Sequence, residues 1–192
     1  LKGKTIAVPG HSTVQDFLIR RGLKEKNLAP EETHIMVQKP PEMISSLRTN
    51  QIDAFVAWEP YPAQAFTMCV GRNMQTSGEI WPDHPCCVLT VSRDYMQENP
   101  ESVIAVLKAH VRAIEYIQQN HDDAISIGVD YTGMDKDTVE KALKTVRYTP
   151  KLNLNAQIEY VQFLSDFGYI RVDDAESFVE ELVDTTLLNK IL

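Results

Sequence analysis

The sequence predicts an α/β fold in two parts, one complete α/β lobe followed by a helix-rich partial second lobe. Over the first half, short apolar strands alternate with amphipathic helices, the pattern of a sheet with parallel members and helices on its faces. The prolines of Trp81-Pro82-Asp83-His84-Pro85 then interrupt regular structure. From Asn99-Pro100 onward every periodic segment is helical. The boundaries that follow are 1–82 for the α/β lobe, 83–92 for a crossing with a return strand, and 93–192 for the helix-rich part.

Taken in order, Lys4-Thr5-Ile6-Ala7-Val8 reads as a strand stopped by Pro9-Gly10. Ser12-Thr13-Val14-Gln15 has the spacing of a capping box, with the Ser12 hydroxyl accepting from the backbone near Gln15 and the Gln15 side chain returning to Ser12. The helix it opens carries Val14, Phe17 and Leu18 on its apolar face, and Gly22 suits its end. Thr33 to Gln38 alternates as a second strand, and Pro40-Pro41 opens a helix with Met43, Ile44 and Leu47 inward. Ile52 to Trp58 is nearly continuous in apolar residues and so reads as a central third strand, followed by a helix from Tyr61 to about Val70. Cys86 to Val91 reads as a last strand.

Beyond it, the stripe Val103, Leu107, Val111, Ile114 and Ile117 is the strongest periodic signal in the chain. Shorter helices follow, with Asp135, Asn155 and Asp173 or Asp174 as caps, and apolar faces through Val139-Leu143, Ile158-Val161-Leu164 and Phe178-Leu182. These faces have only the Cys86–Val91 strand to pack on in their own half. They must form their own bundle, meet strands from residues absent here, or be covered by a partner chain, a homodimer through the incomplete lobe being one such arrangement.

Composition narrows the functional classes. With 192 residues, 43% of them apolar, the chain can bury a sizeable core. Its net charge of −8 comes from acid after residue 85, and no basic cluster concentrates enough positive charge for nucleic acid or an anionic membrane. Opening on Leu1 rather than Met, the chain reads as a processed or cut-down product. Cys69, Cys86 and Cys87 lack metal-type spacing, so no metal site is expected; a reduced or buried pair is the leading reading of Cys86-Cys87, with a vicinal disulfide or a ligand contact as alternatives. There is no G-x-S-x-G elbow, phosphate loop, H-E-x-x-H or G-x-G-x-x-G, so neither catalytic residues nor a cofactor are expected. Cys86 paired with His84 or His11 lacks an orienting third group.

Binding is better supported. Backbone N–H groups at a helix start, with the positive end of its dipole, attract anions, and Ser12 and Thr13 add hydroxyls where Gly10 lets a ligand approach. In an open parallel sheet ligands sit beyond the carboxyl ends of the strands, where Trp58-Glu59 also falls. Against this, Ser12 can be only a cap, His11 a solvated loop residue, Trp58 a core residue and Glu59 a helix N-terminal charge.

Three segments together resemble a known pattern: L-K-G-K-T-I-A-V-P-G-H-S-T at 1–13, S-L-R-T-N-Q-I-D-A-F-V-A-W-E-P at 46–60 and H-P-C-C-V-L-T-V-S-R-D-Y-M-Q-E-N-P-E at 84–101. They resemble the substrate-binding proteins of ABC importers in the taurine, aliphatic sulfonate, nitrate and thiamine-pyrimidine group. The resemblance implies a type 2 periplasmic-binding fold whose lobes close on a small-molecule solute and present it to a membrane permease. It makes residues 1–82 the distal lobe and the later residues a return to a proximal lobe whose opening part precedes L-K-G-K in family members. It implies Gly10, His11, Ser12, Thr13, Trp58 and Glu59 as ligand-facing and Cys86 as a hinge-adjacent contact, with Asp53 structural. The expected function is capture of a small anionic or zwitterionic solute such as a sulfonate, nitrate or a pyrimidine-like molecule, in a periplasmic or extracytoplasmic membrane-associated setting. A thiamine-pyrimidine synthase-like enzyme and a ligand-sensing domain are the alternatives.

Overall fold

A computed structural model describes all residues, 1–192. The chain forms two compact units, the first made of Leu1–His84 and Gly128–Arg147, the second of Pro85–Ile127 and Tyr148–Leu192.

The first unit is built on a three-stranded parallel sheet in the order β2-β1-β3, with β1 at Thr5–Val8, β2 at His34–Val37 and β3 at Ala54–Phe55. Thr5 pairs with His34 and Val8 with Val37, while Ile6 pairs with Ala54 and Ala7 with Phe55. The central strand is therefore β1, and β3 lies at an edge of this sheet. The apolar run of Ile52–Trp58 has a different cause: both faces of the sheet are covered there. Ala54 and Val56 pack with the cluster of Ile6, Val8, Ile19 and Leu23, and Phe55 and Ala57 with that of Ala7, Met43 and Ile52.

Alternation along β1 divides the core between these faces. Ile6 and Val8 meet Ile19 and Leu23 of helix α1 (Val14–Glu25), and Ala7 meets Met43 of helix α2 (Pro40–Arg48). Ile6, Ala7, Val8 and Met43 are fully buried, each large side chain contributing about 1.5–3 kcal/mol. Helix α1 runs through Gly22 rather than ending there, because Leu23 is still docked in the core; the turn away comes at Asn27, whose φ is 53°. Helix α3 (Tyr61–Thr67) is shorter than expected, and a single turn α4 (Ser77–Ile80) precedes Trp81, which is buried with its ring edge-on to Phe17 at 4.5 Å and stacked on His84 at 5.3 Å.

The second unit begins with a departure from the sequence reading: Cys86–Val91 forms no strand. A strand exists through its ladder, and every strand of this chain lies in the first unit. Val88, Leu89 and Val91 are accordingly 53%, 51% and 45% exposed. Helices α5 (Arg93–Glu98) and α6 (Pro100–Gln119) follow, and of the α6 stripe only Ile114 is buried. Helix α7 (His121–Thr132) buries Ala124 and Ile125. Helices α9 (Leu154–Asp166) and α10 (Ala175–Leu182) form a hairpin around Val161, Ala175 and Val179. The cap of α9 is Asn153 rather than Asn155, and that of α10 is Asp174.

Helix α8 (Lys136–Thr145) clusters with the first 84 residues, whereas the sequence boundaries placed it in the helix-rich part. Asp135 caps it through the Thr138 N–H and hydroxyl, which hold the Asp135 carboxyl below its ordinary pKa. The fully buried Thr138 Oγ1, its proton given to Asp135, lies 2.6 Å from Thr67 Oγ1 on α3 and accepts from that hydroxyl in the packed layer. Lys141 Nζ sits 3.8 Å from the centre of the Phe66 ring. The last turn of α7 meets the same helix at Gly128, where an added Cβ would lie 2.6 Å from Val139 Cγ1. Gly128→Ala gains about 1 kcal/mol of helix propensity but must displace a stiff β-branched neighbour, a cost of about 1–3 kcal/mol. Urea denaturation should show a net loss of about 1 kcal/mol, which disappears when the same change is made in a Val139→Ala background and compared with Val139→Ala alone.

Candidate functional site

Parallel pairing brings the exits of the three strands to one edge of the first unit's sheet. The Gln38 N–H donates to the Val8 carbonyl at 2.9 Å just past β2, and the Val56 N–H to the Ala7 carbonyl at 2.9 Å just past β3. The Pro9–Thr13 loop, leaving the central strand, therefore emerges between the exits of its neighbours, with Trp58-Glu59 following the exit of β3. At the opposite end, Asp53 accepts from the Thr5 N–H at 2.9 Å and from Lys4 Nζ at 2.9 Å, tying the start of β1 to β3. These bonds, the backbone one first, hold its carboxyl below the usual range, and they give Asp53 a structural role.

The loop is ordered from within, one residue later than the capping pattern suggested. Thr13, not Ser12, caps α1: its hydroxyl accepts from the Asp16 N–H at 3.3 Å and donates to the Gly10 carbonyl at 2.7 Å. The reciprocal partner is Asp16, whose Oδ2 accepts from the Ser12 N–H at 3.2 Å. Gln15 is buried. Ser12 has φ 63°, a left-handed conformation uncommon outside glycine and asparagine, so its N–H points inward while the Ser12 and His11 residues remain exposed. Gly10 is half-buried, and a Cβ there would stand 3.3 Å from Thr13 Cγ2.

Trp58 is 41% exposed, with its ring edge-on to Tyr61 at 6.5 Å, so the indole is a surface and not the core residue that the alternative reading required. Glu59 is half-buried and already engaged: Oε2 accepts from the Ala63 N–H and Oε1 from the Thr145 hydroxyl, both at 3.0 Å. It fastens the start of α3 to the end of α8, and its carboxylate retains lone pairs for a further donor.

Cys86 belongs to the second unit. Its sulfur lies 3.9 Å from that of Cys87 with no disulfide between them, and both residues are exposed. Partial desolvation of the Cys86 sulfur, although the residue is exposed, with Cys87 adding, raises its pKa to about 11. No cluster of three or more His, Cys, Asp or Glu gathers to hold a metal. Sequence reasoning missed Asp16, Arg20 and Thr145; the first two were signalled by the T-x-x-D cap and the D-x-x-x-R spacing, while Thr145 lies 86 residues from Glu59 and carried no local signal. Alkylation at pH 7.5, followed by peptide mass mapping, should proceed more than about tenfold slower at Cys86 than at a free cysteine of ordinary pKa, and should accelerate as pH approaches 11.

The NMT1-like family model matches residues 2–128. The nitrate/nitrite binding protein NrtA of Nostoc sp. is 26% identical over 149 residues, 74% of this chain and 33% of that protein. A putative aliphatic sulfonates-binding protein of Bacillus subtilis is 28% identical over 193 residues, 100% of this chain and 58% of that protein. The chain thus spans between a third and three fifths of these relatives. Among solved structures, the ligand-binding component of an ABC-type import system from Staphylococcus aureus, with zinc bound, superposes with a TM-score of 0.86 at 14% identity, covering 100% of this chain and 65% of that one. The fold is accordingly that of the binding components of ABC importers, and these matches are binding proteins rather than enzymes. With two thirds of its length matched in sequence and all of it in fold, this chain belongs to the NMT1-like family.

Proposed function

We propose that this chain contributes one wall of the solute site in an extracytoplasmic binding protein of an ABC importer, and that the solute is small and anionic or zwitterionic. The observation that carries the reading is that the Gly10–Thr13 loop and Trp58-Glu59 both follow strands leaving at the carboxyl edge of an open parallel sheet, where ligands of such sheets sit. His11, Ser12 and the first turn of α1 offer donors to an anionic oxygen; the Trp58 ring offers an apolar face, and Glu59 an acceptor for an amine or ring N–H. Cys86 is the least supported of the expected contacts, since it belongs to the other unit. The names of the relatives favour nitrate and sulfonates as the first solutes to try, and a pyrimidine-like molecule suits the Trp58 face.

No helix is long and apolar enough to cross a membrane. We take a membrane permease as the macromolecular partner. A second copy of the chain, the other partner expected, draws support only from the exposed Val88, Leu89 and Val91.

Calorimetry on the full chain against nitrate, bicarbonate, alkanesulfonates and pyrimidines tests the reading. One of them should bind, and Trp58→Ala and Ser12→Ala should each weaken it by about tenfold or more, which is about 1.4 kcal/mol. Lack of binding by all of them, or affinity indifferent to both substitutions, would overturn the assignment.

A further inference from the structure

We infer that Asp16 is a positioning residue for solute capture, holding Ser12 and the loop around it in the conformation that faces ligand; this rests on the functional reading above. Asp16 is fully buried, so it would act on a solute only through the loop it holds. Its two oxygens are divided between two donors: Oδ2 takes the Ser12 N–H at 3.2 Å and Oδ1 takes Arg20 Nε at 2.9 Å. Its own N–H is held by the Thr13 hydroxyl, which in turn reaches the Gly10 carbonyl. Ser12 is thus tied to the Asp16 carboxylate, and Thr13, with Gly10 through it, to the Asp16 backbone N–H, leaving His11 carried between them.

The need for such a tie follows from Ser12. A serine at φ 63° is in a conformation that L-residues disfavour, and it persists only where its surroundings over-determine it. A charge-assisted bond from its N–H to a buried carboxylate supplies that determination. Capping alone does not require this arrangement, because an acidic residue in the first turn serves a helix from an exposed position. Nor is stability a sufficient reason, since the desolvation of a buried ion pair offsets much of its attraction; Arg20 is only 17% exposed at its side chain and Asp16 not at all. What the pair fixes is geometry: Arg20, one turn along α1, aims the carboxylate back at the loop.

Asp16→Asn keeps the shape but supplies a single acceptor for two donors. With the solute identified by calorimetry, affinity should fall about tenfold, whereas in a Ser12→Gly background, where the left-handed conformation carries no penalty, the same change should cost no more than about twofold. A residue that serves only stability would weaken both backgrounds equally, and an equal loss would overturn the inference. Because Asp16→Asn can also impair folding, amide exchange on the unaltered protein gives an independent reading: the Ser12 N–H should exchange at least about tenfold more slowly than an unprotected amide, and exchange at the unprotected rate would overturn the inference. If no solute binds, the functional reading fails while the Ser12 exchange rate still decides whether Asp16 sets the loop.

Discussion

The pairing of β1 on both edges and its burial on both faces is the constraint on which the first unit depends. Thr5 to Val8 all pair with β2 on one side, and Ile6 and Ala7 pair with β3 on the other. Ile6 and Val8 face α1, and Ala7 faces α2. The small Ala7 allows Met43 to lie close against the sheet, while the larger neighbours fill the opposite face. Since parallel strands all leave the sheet at the same end, this one strand also decides that three loops share an edge. A shared edge is therefore a consequence of topology before any particular side chain is chosen.

Electrostatics is spent unequally over the molecule. Lys2–Glu32, Lys4–Asp53 and Arg93–Glu181 are exposed pairs, of a kind that contributes little to stability. Asp16–Arg20 differs in being withdrawn from water, and it stands directly behind the loop that leaves β1. Glu59 plays a comparable part on the other side of that edge, where Ala63 and Thr145 hold its carboxylate. In both places a carboxylate fixes backbone beside an exposed group, Ser12 in one case and Trp58 in the other.

Much of this was legible in the sequence, and the failures share a physical origin. Strands β1 and β2, the proline-led start of α2, the length of α6 and the caps Asp135 and Asp174 are local features, fixed by residues close together in the chain. The cap of α1 was read one residue early because Ser12-Thr13 offers two hydroxyls and Gln15-Asp16 two reciprocal partners; only the left-handed Ser12 selects the second pair. What stayed illegible was non-local. That β1 and not β3 is central, that α8 packs against α3, and that Cys86–Val91 has no ladder all depend on which distant segments meet. For the site, the sequence proposed Gly10 to Thr13 and Trp58-Glu59, and the fold places both at one edge; it gave no hint that Thr145 would hold Glu59.

Solute held at that edge would perturb the residues that line it. Amide chemical shifts of the isotope-labelled full chain, followed during titration with the solute that calorimetry identifies, report this residue by residue. The largest changes should fall on Gly10 to Thr13 and on Trp58 and Glu59. Changes concentrated on the α9–α10 hairpin, with the carboxyl edge of the sheet unmoved, would contradict it.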